Sequence, residues 1–163
     1  MLDYQVPKEK ASVLIEMPPH EPETRFIFLS PYAQSHHGAE TPSDIFNVSQ
    51  AFIPLFREDG DPILARGDAM LVRRDAITWV MVGEPQRTEW YYYEIRAGVP
   101  DTAIHLEFDT GGHIDGRIAR LGPAGGQRVL DIINRQEGFL HVERDDELFL
   151  VNLGRVISIT LKE

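Results

Sequence analysis

The sequence predicts a mainly β protein with short helices (α+β). It reads as two tandem small β-barrel-like modules related by internal duplication and packed together. Three observations lead there: blocks of the first half recur in the same order in the second, most apolar residues alternate as in half-buried strands, and the helical stretches are only about two turns long. With 42% hydrophobic residues, the 163-residue chain has enough apolar material for a core, so global disorder is excluded.

The first strand is Val13-Leu14-Ile15-Glu16-Met17, which resembles Ile104-His105-Leu106-Glu107-Phe108. In both, a glutamate sits amid apolar neighbours, as a half-buried strand would place it. The second block is Arg25-Phe26-Ile27-Phe28-Leu29-Ser30-Pro31, matched to Arg117-Ile118-Ala119-Arg120-Leu121-Gly122-Pro123. Next comes a helix from Ser43 to Gln50. Thr41 can cap it, Pro42 suits its first position, and Asp44 completes a capping-box-like Thr-x-x-Asp. Asp44-Ile45-Phe46-Asn47 returns as Asp131-Ile132-Ile133-Asn134, on a helix from Arg128 to Glu137 preceded by the flexible turn Gly122-Pro123-Ala124-Gly125-Gly126. This match runs without a gap to Arg57 and Arg144, through strands in which Ile53 and Leu55, or Leu140 and Val142, alternate with Phe52 and Pro54, or Phe139 and His141. Pro54 lacks an N–H and must point that position away from a neighbouring strand.

The halves then differ. Arg144-Asp145-Asp146-Glu147 is a tight turn, whereas the first half carries an insertion over Glu58–Asp68. Met70-Leu71-Val72 matches Phe149-Leu150-Val151, and Ile77 and Val80 match Val156 and Ile159. The last strand alternates Ile157, Ile159 and Leu161 with Ser158 and Thr160, but its counterpart, Ile77-Thr78-Trp79-Val80-Met81-Val82, is apolar on both faces except at Thr78. Two-sided burial is implied for the latter, so something covers the first half that does not cover the second.

Between the halves, Val82–Arg87 reads as a turn, and Glu89-Trp90-Tyr91-Tyr92-Tyr93-Glu94-Ile95 reads as a strand by composition, forming a hairpin with Ile77–Val82. Residues 1–82 are expected as the first module, 83–101 as a bridging aromatic strand and turn, and 102–163 as the second module. Tyr and Trp dominate binding hot spots, so Trp79, Trp90, Tyr91, Tyr92 and Tyr93 are the expected partner-binding residues, with the 58–68 insertion nearby. The competing expectation is that the aromatic run seals the joint between the halves.

The net charge of −10 is spread evenly, with 7 basic and 12 acidic residues in 1–81 and 9 and 14 in 82–163. Such a surface repels phosphate backbones, which argues against nucleic-acid binding, including by an Sm-like small barrel. No cysteine is present, which excludes disulfides and thiolate sites. Met1–Met17 carries five charged residues and no long apolar run, and no stretch is long enough to span a bilayer. A cytoplasmic protein is expected. His36-His37 reads as a solvated loop, Asp44 and Asp131 as helix-start carboxylates, and Asn47 and Asn134 as helix ends. Thr110–His113 reads as a hairpin turn without a phosphate-loop ending. No catalytic, metal or cofactor residues are assigned.

Arg128–Asn134, Gly138–Val142, Leu150–Leu153 and Val156–Ile159 resemble a small bacterial β-rich domain of unknown function. Its pattern is a Leu-x-Asp-Phe-Leu-Asn helix, a Phe-Leu-x-Leu strand and a closing Leu-x-Asn-x-x-x-Ile hairpin. The resemblance covers most of 104–161 and, more loosely, 11–82, where Ser43 replaces the Leu before Asp44. It implies a fold and carries no catalytic residues. The expected function is a non-enzymatic protein-binding adaptor or structural subunit of a bacterial complex, with a protein partner or a second copy. The alternative is a small-ligand sensor with a pocket between the halves.

Overall fold

A computed structural model describes residues 8–57, 69–121, 128–136 and 138–162. The expected insertion over 58–68 and the turn at Gly122–Gly126 lie outside the described residues. The first half runs β1 (Glu9–Glu16), β2 (Glu23–Leu29), α1 (Pro42–Phe46), β3 (Phe52–Leu55), β4 (Met70–Arg73), a 3-10 turn at Arg74–Ala76 and β5 (Trp79–Val82). Two short helices follow, α2 (Pro85–Thr88) and α3 (Trp90–Arg96). The second half repeats the order: β6 (Asp101–Phe108), β7 (His113–Ala119), α4 (Val129–Arg135), β8 (Phe139–Arg144), β9 (Glu147–Asn152), a 3-10 turn at Leu153–Arg155 and β10 (Val156–Lys162).

The strands form an eight-stranded antiparallel sheet, β10-β6-β7-β8-β9-β5-β1-β2, and a two-stranded sheet, β3-β4. A single Phe26–Phe56 bridge joins the small sheet to β2. Each half therefore has the same spatial order: β5-β1-β2-β3-β4 in the first and β10-β6-β7-β8-β9 in the second.

The registers agree as well. Ile15 pairs with Val80 as Leu106 pairs with Ile159, and Phe52 pairs with Arg73 as Phe139 pairs with Asn152. One sequence match shifts by a residue. Val13 faces Arg25 while Ile104 faces Gly116, so the ladder counterpart of Arg25 is Gly116 and not Arg117. This restores the core pattern, because Ile27 then corresponds to Ile118 and both are buried.

The barrel-like expectation is corrected: neither half closes on itself. The last strand of the first half turns its outer edge to the other half, where Trp79, Val80 and Met81 pair with Val151, Leu150 and Phe149 of β9. Hydrogen bonds given to the neighbouring half are no longer available for closure. The two-sided burial expected of Trp79–Val82 follows from this pairing. Val80 and Val82 lie in the first core, while Trp79 and Met81 pack on the second.

Residues 90–96 are a helix and not the expected aromatic strand, so no hairpin forms with 77–82. Pro85 starts α2. Thr88, Glu89 and Tyr92 then turn one buried face inward at helical spacing. Strand propensity of Tyr and Trp measures fit to a pleated surface, and here their packing onto β8 and the His36 loop overrides it. Both expected helices are present in shorter form, and the capping box expected at the first is formed. The Thr41 hydroxyl accepts from the Asp44 N–H, and the Asp44 carboxylate accepts from the Thr41 N–H at 2.8 Å.

Candidate functional site

Two regions stand out: a polar seam under α3, and the strand joint between the halves together with its open counterpart. The five expected partner-binding aromatics are divided among internal positions. Trp79 is partly buried, edge-on to Phe149 with ring centroids 5.2 Å apart. Trp90 donates from its indole N–H to the Ala39 carbonyl at 3.1 Å and lies over Gly38, whose positive φ and contact with the ring leave no room for a β-carbon. Tyr91 stacks on His36 at 4.2 Å. Tyr92 is buried, stacks on His141 at 4.1 Å and donates to Glu143 at 2.8 Å. Tyr93 is partly buried beside Tyr92. The structure thus brings Trp90 through Tyr93 into one seam and leaves Trp79 in the strand joint.

The hub of the seam is Glu89, which is fully buried. Its carboxyl accepts from the Ser43 N–H, from the Ser43 hydroxyl at 3.0 Å and from His141 Nε2 at 3.1 Å. It therefore caps α1 of the first half while holding β8 of the second. Buried carboxyls need such saturation. Around it, burial first and then the Glu143 carboxylate push the Tyr92 phenol up, and the same causes raise Tyr93 to about 12. Arg96 bonds Glu143 at 2.8 Å and Asp101 at 3.3 Å. The Arg117 guanidinium holds Asp101 below the ordinary carboxylate range.

His36 is not the solvated residue expected. Its ring is nearly enclosed, with Nε2 2.7 Å from Asp44 and Nδ1 2.8 Å from the His37 carbonyl. Burial disfavours its cation, but those two acceptors outweigh burial and raise its pKa. Burial likewise opposes ionisation of Asp44, yet bonds from Thr41, His36 and Ser35 lower its pKa overall. Both imidazole nitrogens are occupied by acceptors, and Ser35 bonds the carboxylate and not the ring. This geometry orients a loop; it does not set a base against a nucleophile. Among the described residues, no group of three His, Cys, Asp or Glu side chains is placed to hold a metal ion.

The strand joint is built from residues that do not read as a site. Phe139 and Leu150 belong to the second half, yet both lie in the first core with no exposure. Phe139 sits edge-on to Phe46 at 5.6 Å. Asn47 ends α1 and reaches across, accepting from the Phe139 N–H at 2.7 Å and donating to its carbonyl at 3.4 Å. Asn152 donates to the Ile77 carbonyl at 2.8 Å.

The counterparts of these residues in the first half are open. Phe52, equivalent to Phe139, is 43% exposed, and Leu71, equivalent to Leu150, is 65% exposed. The counterpart of the surface that receives Phe139 and Leu150 is a groove between α4 and β10, lined by Ile133, Asn134, Leu153, Val156 and Ile159. Ile157 also lines it and is 68% exposed. The signal for this arrangement was present in the matched sequence blocks, through the pairs Phe52 and Phe139, and Leu71 and Leu150. Which copy was covered was not readable from either. No family model, curated protein or solved structure matches the chain.

Proposed function

We propose that the chain is a non-enzymatic protein-binding subunit made of two modules descended from one duplicated ancestor, acting as an adaptor or structural component of a complex. The observation that carries this reading is the pair of sheet faces left open at opposite ends of one repeated architecture. Phe52 and Leu71 lie at one end, and Ile157 and Leu161 at the other, all exposed. Exposed apolar side chains on strands with an open outer edge mark interaction surfaces. The common strand order and register support the shared ancestry of the halves. The seam around Trp90–Tyr93 supports a rigid relation between them, so that the two ends keep a set spacing and direction. A photo-crosslinking residue at position 71 or 157 tests this in cells of the source organism. A discrete protein adduct at either position is expected, and adduct-free chain at both positions would overturn the reading.

The alternative, small-ligand sensing, has one specific observation in its favour. A cleft of ≈ 230 Å³ is lined by Ile15, Met17, His20, Glu23, Arg25 and Leu55. It lies within the first half and not between the halves, where Glu89, Tyr92 and His141 fill the seam. A thermal-shift screen with small carboxylates and amines separates this reading from the first, since an adaptor gains no stability from them.

A further inference from the structure

The joint between the halves is a strand-exchange contact whose two sides are both repeated in the chain. One side is the β8–β9 face, which sends Phe139 and Leu150 into the neighbouring core. The other is the edge of β5 with the end of α1 above it, which receives them. Because the halves share strand order and register, each side has a second copy: β3–β4 repeats β8–β9, and β10 with α4 repeats β5 with α1. In the described residues, neither second copy has a strand partner at its outer edge.

We infer that the chain associates head to tail with further copies of itself, β3–β4 of one molecule docking on β10 and α4 of the next and reproducing the internal joint. This rests on the protein-binding reading above and names the partner.

The joint specifies the contact in detail. Inside the chain, Leu150 faces Val80 and Phe149 faces Met81. Carried to the open ends, Leu71 faces Ile159 and Met70 faces Thr160 of the neighbour, in an antiparallel ladder. Leu71 enters the second core of the neighbouring copy as Leu150 enters the first core within the chain. Phe52 drops into the groove beside Ile133, as Phe139 lies against Phe46. The exposure of these residues then has a physical cause: each is a core residue whose core is in another molecule.

The pattern of the strands agrees with this. Ile53, Leu55 and Val72 fill their own module, as Leu140, Val142 and Val151 fill theirs, so the outward side chains of β3–β4 are not needed at home. The match is weakest at Asn134. Its counterpart Asn47 sits against Gly138, where a β-carbon would come within 2.6 Å of the carboxamide, and the equivalent of Gly138 is Ala51. The Asn134 bonds therefore contribute less than the apolar insertions.

An interface joining unlike surfaces is heterologous. It closes into a ring or extends as a filament, with no molecule left over at a two-fold axis.

Native mass spectrometry and light scattering on the full chain test this at tens of micromolar, above the roughly micromolar dissociation constants of weak specific contacts. The expected mass is a multiple of the 18.5 kDa of one chain. Leu71→Lys and Thr160→Lys each alter an exposed side chain and place a charge in the ladder. Each is expected to give a folded monomer with an unchanged circular dichroism spectrum. Mixed, they are expected to give a one-to-one heterodimer and nothing larger, since each supplies the one end the other has lost.

A monomeric native chain, assembly that survives both substitutions, or variants that fail to complement would each overturn self-association. Monomeric chain that still crosslinks through position 71 or 157 to a different protein would sink this inference alone. Absence of both assembly and adducts would sink the protein-binding reading with it.

Discussion

The β8–β9 and β3–β4 hairpin faces carry the same residues at their key positions and have opposite fates. Phe139 and Leu150 are wholly buried, whereas Phe52 and Leu71 stand in solvent. The inward face of each pair does not differ in this way, since Val142 and Val151 are as buried as Leu55 and Val72. Side-chain identity and strand alternation therefore determine the face that fills a module's own core. Burial of the other face depends on whether a second module is there to receive it.

The comparison can be broken by substitutions in matched pairs. Phe139→Ala and Leu150→Ala should each destabilise the chain by about 2–5 kcal/mol in urea titration, through lost burial and a cavity in the first core. Phe52→Ala and Leu71→Ala, measured in dilute chain, should stay within about 0.5 kcal/mol, as exposed positions do. Equal costs in the two pairs would show that the faces are not different in kind.

Glu89 ties the modules together, bonding Ser43 of the first and His141 of the second. Glu89→Ala should cost roughly 1–3 kcal/mol for each buried donor left unmet, Ser43 and His141 among them. Glu89→Gln, which retains an acceptor, should cost less. A chain indifferent to Glu89→Ala would mean the joint is held by the strands alone.

Asn47→Ala removes two bonds to the Phe139 backbone and should cost about 1–3 kcal/mol. Asn134→Ala, at the open counterpart, should leave the isolated chain's unfolding midpoint unchanged.

The smallest effect concerns pH. His36 has a raised pKa in the folded chain, so its ionic contribution is full below its ordinary value of 6.5 and fades as pH rises through the folded value. Asp44 has a lowered pKa, so its contribution is full above 3.8 and fades as pH falls through the folded value. The pair therefore stabilises the His36 loop most between those limits. A nuclear magnetic resonance titration should place the His36 midpoint above its ordinary value of 6.5. His36→Gln should flatten the alkaline side of the stability profile.

Much of the architecture was legible. The collinear blocks predicted the shared order of elements, Thr41 and Asp44 predicted the start of α1, and the two apolar faces of Trp79–Val82 predicted that the first half is covered. The aromatic run was misread because Trp and Tyr favour strands on average, while the decisive pattern lay in Thr88, Glu89 and Tyr92. Two of those three are polar, so a hydrophobic periodicity does not reveal a helix there. Glu89 and His36 escaped for a related reason: a buried carboxyl or imidazole is recognisable only once its donors and acceptors are in place.

By itself the sequence determined most of the strands, their facing and their shared order, because alternation and turn chemistry act over a few neighbouring residues. Only the tertiary structure decided that β5 pairs with β9 and does not close its own module, and that Phe139 and Leu150 serve the other half's core. Those choices join residues about 70 positions or more apart. They turn on which of two nearly equivalent edges is within reach, a matter of chain connectivity and not of local preference.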